Sequence, residues 1–253
     1  MFHKKPTIYI GYDPSEEIYC EVLKKSIEAN TKDSYNIVPI VQSSVRRAGL
    51  YWRSGELTEA GMVDSFDRKP FSTEFSFTRF LVPMLNQYSG LALFMDCDMY
   101  VRSDITEIFD THGANHNVAI SCVQHSHSPT DTTKMGGKVQ TVYNRKNWSS
   151  FVLWNCDHPV VKEFTTGNVN TATGAWLHAF FWLESELIGN IKQEWNWLDG
   201  HSPENIEPKN VHFTTGGPIY KDWKPARDID SVYAKEWKDF YLDKLQVKKK
   251  KHD

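Results

Sequence analysis

Gly90-Leu91-Ala92-Leu93-Phe94-Met95-Asp96-Cys97-Asp98-Met99-Tyr100-Val101 is the stretch from which the fold is read. A continuous apolar run entered from a glycine predicts a buried central strand of a parallel sheet. Its two acids then fall at the strand's carboxyl end, where open α/β sheets bind their ligands. Carboxylates at i and i+2 on an extended chain share a side, so Asp96 and Asp98 can converge on one cation. Embedded in apolar sequence, such a pair is expensive to bury without compensating positive charge. A hard divalent ion fits, its remaining positions filled by phosphate oxygens. The plainer alternative is a pair of solvated turn or capping residues.

Upstream, Thr7–Ile10 predicts a first strand and Gly11-Tyr12-Asp13 a turn. Asp13 is placed to cap a helix, with Pro14 at its first position and Glu16 reaching back. Ile18, Val22, Leu23 and Ile27 are its expected buried stripe. With a second strand over 35–41, this makes one βαβ unit. Periodicity fades from Gln42 to about Pro70, which reads as a long surface loop carrying Arg46, Arg47, Trp52 and Arg53. Residues 72–87 return to helical spacing, with Arg79 on the helix and Pro83 kinking or ending it.

Downstream, the pattern predicts a short helical segment from Ser103-Asp104, a strand over 118–123 ending at Gln124-His125, and a polar loop over 126–146. A further strand over 150–154, an aromatic-rich helix over 173–188 and a late strand over 210–213 follow. The last of these runs into Thr214-Thr215-Gly216-Gly217. An amphipathic helix over 232–245 precedes a basic Lys248–Lys251 tail.

The chain has 253 residues, 40% hydrophobic and 24% charged, which suits one soluble globular domain. A net charge of −3 gives no argument for a nucleic-acid partner. Aromatics at 13%, nine of them Trp, suit either sugar and base platforms or a Trp-rich core. Cys20, Cys97, Cys122 and Cys156 form no C-x-x-C and read as buried reduced thiols. With no signal-peptide pattern and no membrane-length apolar run, a cytoplasmic location is expected.

Asp96, Asp98, Gln124 and Glu184 are the candidate catalytic residues, the last two as hydroxyl or acceptor contacts. His212 closes the late strand, and an imidazole among carboxylates tilts a hard-ion site towards Mn²⁺ over Mg²⁺; a satisfied structural histidine is the bland alternative. Backbone N–H groups around Gly216 and Gly217 can face phosphate oxygens, with Lys221 adding charge. An ordinary turn before Pro218 explains the same glycines. Tyr12 can stack on a base and Asp13 can accept from one. Arg79 can pair with a diphosphate or with the acids. His125, His127 and 146–150 lie where a sugar would. Glu186, like Glu184, also fits an exposed helix face. The Lys248–Lys251 tail reads as solvated or as a weak contact with an anionic membrane.

The order of these islands resembles the GT-A glycosyltransferases, and most closely the family-8 group that includes glycogenin and bacterial lipopolysaccharide galactosyl- and glucosyltransferases. The islands are Gly-Tyr-Asp after the first strand, Arg79 before the acids, Leu-Phe-Met-Asp-Cys-Asp-Met-Tyr-Val-Arg-Ser-Asp-Ile, and Val-His-Phe-Thr-Thr-Gly-Gly-Pro. The resemblance implies an α/β GT-A fold, a Rossmann-like mixed central sheet flanked by helices. It also implies a single domain over 1–253: a nucleotide-binding half over 1–101, an acceptor half over 102–222, and a terminal helix and tail over 223–253. A UDP-sugar donor, Mn²⁺ (or Mg²⁺), and a glycan, lipid-linked or small-molecule acceptor come with it, as does retention of anomeric configuration. By position, Asp96 is implied as ribose and metal contact, and Asp98 and His212 as metal ligands. Gly216, Gly217 and Lys221 are implied at the diphosphate, and Tyr12 and Asp13 at the uracil. Arg79 matches the basic residue on the helix before the acids, and Trp195–Leu198 resembles the family's late aromatic segment. Two elements depart from the family. Trp148-Ser149-Ser150 stands where an Asn-Ala-Gly-like start is usual, and Phe181-Trp182-Leu183-Glu184 lies near the place of an Asp-Gln-Asp element.

Two rivals remain. A non-catalytic sugar-binding module accounts for the tryptophans but needs neither paired acids nor a late glycine turn. An aspartate-nucleophile phosphatase also uses Asp-x-Asp. It expects Thr or Val two residues after the second acid, where Tyr100 stands, and an earlier strand.

Overall fold

The computed structural model describes residues 5–59, 61–113, 115–126, 145–219 and 231–246. β1 (Thr7–Gly11) is buried along its whole length, as expected of a strand covered on both faces. The helix Glu17–Asn30 carries the chain back to β2 (Asn36–Ile40), which pairs parallel to β1 with Thr7 opposite Asn36. A short antiparallel hairpin follows, β3 (Gly55–Thr58) and β4 (Gly61–Asp64). β5 (Leu91–Met95) lies parallel to β1 on its other side, and β6 (Met99–Val101) leaves it at once.

The remaining strands are β7 (Ile120–Cys122), β8 (Phe151–Asn155), β9 (Ile188–Asn190), β10 (Trp197–Leu198) and β11 (Asn210–His212). Among the described residues, the main sheet has the order β2-β1-β5-β8-β7-β9. β8 runs antiparallel to both neighbours and the other pairings are parallel. A second sheet, β10-β11-β6, stands beside it. The sheet is mixed, and helices flank it.

The turn between β5 and β6 links the two sheets. Asp96 N–H donates to Ser150 O at 2.9 Å on the main-sheet side, and Phe213 N–H donates to Asp98 O at 2.9 Å beside β11. Each acid is therefore tied by its backbone to a different neighbour, Asp96 to the turn before β8 and Asp98 to the end of β11.

Several elements differ from the sequence reading. Ile18 is 38% exposed, whereas Tyr19, Cys20, Val22, Leu23, Ser26 and Ile27 are buried. The helix touches two cores: Cys20, Leu23 and Ile27 face the main sheet, while Tyr19 and Val22 pack with Trp237 and Tyr100. That wide arc leaves Ile18 outside. The expected loop over 42–70 is instead a helix (Gln42–Arg47) and the β3–β4 hairpin. Arg53 anchors it, buried in a two-pronged ion pair with Asp64 at 2.7 Å per prong. Residues 72–87 are broken into three short pieces, and Pro83 is the second residue of the last, in its first turn, where a missing N–H costs nothing. The predicted helix over 173–188 shrinks to Gly174–His178, because Phe180 adopts a left-handed backbone and the aromatic rings pack as a cluster. The late helix runs Val232–Tyr241 and widens into a π turn over Leu242–Gln246. Most of the 126–146 loop, with His127, lies outside the described residues, as do Lys221 and the basic tail.

Candidate functional site

Asp96, Asp98 and His212 meet at the junction of the two sheets. One ligand atom from each lies within 4.8 Å of the other two. Adjacent donors on one six-coordinate ion are about 3 Å apart and opposite ones about 4 Å, so a modest side-chain rotation closes this set on a metal. β11 brings His212 there by pairing antiparallel to β6, with His212 opposite Met99.

The imidazole is oriented from behind. Its Nδ1 is 2.9 Å from Asn196 Oδ1. The Asn196 amide nitrogen donates to Asn147 O at 3.2 Å and Ser150 Oγ at 2.9 Å, which fixes which end of that amide faces the ring. Nδ1 therefore carries the proton and Nε2 turns its lone pair to the acids. Nε2 is buried, hydrogen-bonds nothing among the described residues, and faces Asp98 Oδ1 at 3.2 Å. A cation held there would be shared by that nitrogen and the carboxylate. The buried nitrogen, the two carboxylates and the rear amide fit a Mn²⁺-type ion.

Arg79 is buried and holds Asp96, with Nη1 at 2.9 Å from Oδ1 and also donating to Ser149 O at 3.0 Å. Of its two possible partners, the structure pairs it with the acid. Cys97, between the acids, is fully buried, and its thiol donates to Glu16 Oε2 at 3.0 Å. Burial above all, then the Glu16 and Asp98 carboxylates, raise that thiol well above its usual value, so it stays protonated.

A cleft of about 380 Å³ opens from these residues. Asp96, Asp98 and Glu16 line it, with Thr214 and Gly216. Further lining comes from Asp67, Lys69 and Phe71 after the hairpin, and from Thr173, Gly174 and His178. Lys146, Asn147, Ser149 and Ser150 line the cleft, with His178 Nδ1 2.7 Å from Ser149 Oγ, whereas Trp148 is not among the lining residues and donates to His125 O. Asp67, Lys69 and His178 were not legible as site residues: the first two lie in a segment without periodicity, and His178 ends a helix that reads as longer in sequence.

Other candidates sit elsewhere. Gln124 is exposed and its side chain donates to Ile188 O at 3.2 Å, tying β9 to the strand end outside the cleft. Glu184 is exposed ahead of a 3-10 turn, also outside it. Both Asp13 oxygens serve the backbone: Oδ1 accepts from Ser15 N at 2.9 Å and Oδ2 from Glu74 N at 3.0 Å. Its capping role is thus realised, together with a tie across to residue 74. Glu16, expected to reach back to that cap, turns to Cys97 instead. Tyr12 is half-buried at the end of β1; burial first, then Glu17, raises its phenol above the ordinary value. Gly216 lines the cleft with φ 139°, a backbone that favours glycine. Gly217 is a glycine for another reason, since a Cβ there would come within 2.0 Å of the Tyr19 ring.

Among curated proteins, Protein CDI of Arabidopsis thaliana is 47% identical over 233 residues, covering 90% of this chain and 85% of its own length. The chain belongs to the CDI family. No protein-family model matches it. Among solved structures, the apo bifunctional glycosyltransferase WbbM superposes on the CDI-family chain with a TM-score of 0.58 at 15% identity, over 95% of this chain and 50% of WbbM. The glycosyltransferase GlyE of Streptococcus pneumoniae TIGR4 gives 0.57 at 13% identity, over 94% of this chain and 61% of GlyE. The galactosyltransferase LgtC, solved with donor and acceptor sugar analogues, gives 0.56 at 10% identity, over 94% of this chain and 95% of LgtC. This member of the CDI family therefore has the GT-A glycosyltransferase fold. It spans about half of WbbM but nearly the whole of LgtC. No helix among the described residues is long and apolar enough to cross a membrane.

Proposed function

We propose that the protein is a metal-dependent glycosyltransferase that moves a sugar from a nucleotide-sugar donor, UDP-linked in the first instance, to a hydroxyl of a glycan, lipid-linked or small-molecule acceptor. The observation that carries this is the meeting of Asp96, Asp98 and His212 in a GT-A fold, with both acids lining a cleft. A sugar-binding module without chemistry has no use for two carboxylates and an oriented imidazole at one point.

In this reading Asp96, Asp98 and His212 hold a divalent cation, Mn²⁺ by their chemistry. When bound, it supplies positive charge for the departing diphosphate. Arg79 offsets one of the two carboxylate charges and keeps Asp96 aimed at the cleft. Asn196 fixes the His212 tautomer that exposes Nε2. Gly216 lets backbone approach the phosphates, and Tyr12 stands at the end of β1 for the base. Ser149 and His178 present hydrogen-bonding groups to the sugar. Asp67, Lys69, Thr173 and His178 line the same cleft and are the groups offered to the acceptor.

The test is calorimetric titration of UDP, GDP and their sugars with and without Mn²⁺, on wild type and Asp98→Ala. Metal-dependent nucleotide binding that disappears in the variant supports the reading. No binding of any of them to wild type removes its main support. Following sugar release from the binding donor then separates transfer or hydrolysis from mere binding.

A further inference from the structure

We propose that the apolar face of the β3–β4 hairpin receives the aglycone of the acceptor, so that the acceptor is a glycoside carrying an apolar tail. The inference rests on the glycosyltransferase reading and narrows its acceptor, which that reading leaves open among glycan, lipid-linked and small-molecule hydroxyls.

The hairpin is amphipathic in its register. Glu56 stands opposite Val63 and Leu57 opposite Met62, and successive strand residues point to opposite faces. Glu56 meets Arg68 at 2.9 Å, so one face carries a paired charge. On the other, Leu57 is 81% exposed and Met62 is exposed opposite it. A third segment extends that face. Phe71 N–H donates to Met62 O at 3.0 Å and Pro70 bridges antiparallel to Val63, which sets Phe71 beside Met62. A Cβ on Gly55 would come within 2.9 Å of the Phe71 ring and 3.1 Å of the Met62 methyl, so both side chains lie on the face that Gly55 shares with Leu57. Leu57, Met62 and Phe71 thus form one row across three segments, about 10 Å long at the usual strand spacing.

The row runs into the cleft. Phe71 lines it together with Phe75 and Phe77, and the Phe71 and Phe77 rings are 5.4 Å apart. Asp96 and Asp98 line the same cleft. A sugar hydroxyl presented there leaves its aglycone a continuous apolar path over Phe71 and Met62 to Leu57. The buried Arg53–Asp64 pair holds the hairpin in that position. Single exposed apolar side chains are ordinary, whereas a contiguous exposed row marks a binding surface. Three side chains are far too few for a stable protein interface, which takes roughly 800 Å² from each partner, but they suffice for one alkyl or aryl chain.

The experiment compares matched methyl and octyl β-glycosides of glucose, galactose, mannose and xylose, kept below micellar concentration. Calorimetry on the protein saturated with Mn²⁺ and the nucleoside diphosphate reads their binding, and transfer from the nucleotide-sugar reads their KM. Wild type is expected to favour the octyl member of at least one pair by about tenfold or more. Leu57→Ser and Met62→Ser should bring that pair close together, while Mn²⁺-dependent nucleotide affinity stays at the wild-type value. Leu57 is so exposed that its variant is expected to melt as wild type does, which covers the case of Met62→Ser failing to fold. Equal affinity for methyl and octyl glycosides, no binding of any octyl glycoside, or a preference that survives in the folded variants overturns the inference and leaves the nucleotide reading standing. Co-sedimentation with phosphatidylcholine vesicles that Leu57→Ser abolishes, without an octyl preference, overturns it as well and gives the face to a membrane. Failure of wild type to bind any nucleotide overturns both.

Discussion

Asn196 shows how far a site depends on residues that never touch a ligand. It accepts from His212 Nδ1, and its other end is held by Asn147 O and Ser150 Oγ. Removing it in Asn196→Ala frees the ring to rotate and to place its proton on Nε2, towards the acids. Mn²⁺ affinity is expected to fall roughly 10–100-fold, the usual effect of losing a partner behind a metal-ligating histidine. Mn²⁺ titration checks this, with the melting curve confirming that the variant is folded. At this scale the sequence was informative where chemistry and chain position coincide. Asp96 and Asp98 could be named because paired acids embedded in apolar sequence are costly to bury, and His212 because the family resemblance set it beside them. Glu16, Ser149 and Asn196 show the opposite. Glutamate near a helix start has a common local explanation, and an asparagine inside an aromatic segment carries no signal until β10 and β11 pair. Gln124 and Glu184 were chosen from their places along the chain, and both are exposed and absent from the cleft lining.

The hairpin over 55–64 is the element that sequence periodicity missed, and the residues just after it, Asp67, Lys69 and Phe71, form a wall of the cleft. Its anchor is Arg53, whose guanidinium takes both Asp64 oxygens, donates to Val169 O and Ala172 O, and lies 3.9 Å over the Phe77 ring. Asp64 in turn accepts from Asp67 N at 2.9 Å, and Asp67 accepts from Gly174 N at 2.7 Å. One buried pair therefore fixes both sides of that wall. No local pattern predicts it, because the partners of Arg53 come from three separate segments. Arg53→Ala leaves Asp64 buried without its counter-charge and is expected to destabilise the protein by about 3–5 kcal/mol, read by denaturant unfolding. The same pair sets an acid limit. Burial alone would raise the Asp64 carboxyl, but the Arg53 hydrogen bonds and the Asp67 backbone N–H outweigh it and leave its pKa below 3.8. A carboxyl depressed on folding contributes stability that is whole above its unfolded value and is lost as pH falls through the folded one. Acid unfolding of wild type should therefore show an extra loss below about pH 3.8 that is absent from Asp64→Asn.

Over the whole molecule, the second core couples the terminal helix to the site. Trp237 is fully buried on the helix Val232–Tyr241, with its ring 5.3 Å from that of Tyr19. Tyr19 belongs to the helix after β1 and lies where a Cβ on Gly217 would be. Gly217 directly follows Gly216, which lines the cleft. A contiguous stack thus runs from the terminal helix through Tyr19 to the turn proposed to meet phosphate. The amphipathic pattern of the terminal helix was legible in sequence, but its destination was not, since nothing local says that Tyr19 faces away from the main sheet. Trp237→Ala should cost about 3–5 kcal/mol as a large buried side chain is lost. It should also weaken Mn²⁺-dependent nucleotide binding, because Tyr19 loses its backing and the Gly216-Gly217 turn its support. Arg68→Ala is the control: its pair with Glu56 is more than half exposed on both sides and should move the melting midpoint little. Measuring unfolding and nucleotide affinity on both variants decides the matter. If Trp237→Ala loses stability but binds nucleotide as wild type does, the terminal helix supports the fold alone and the stack does not reach the site.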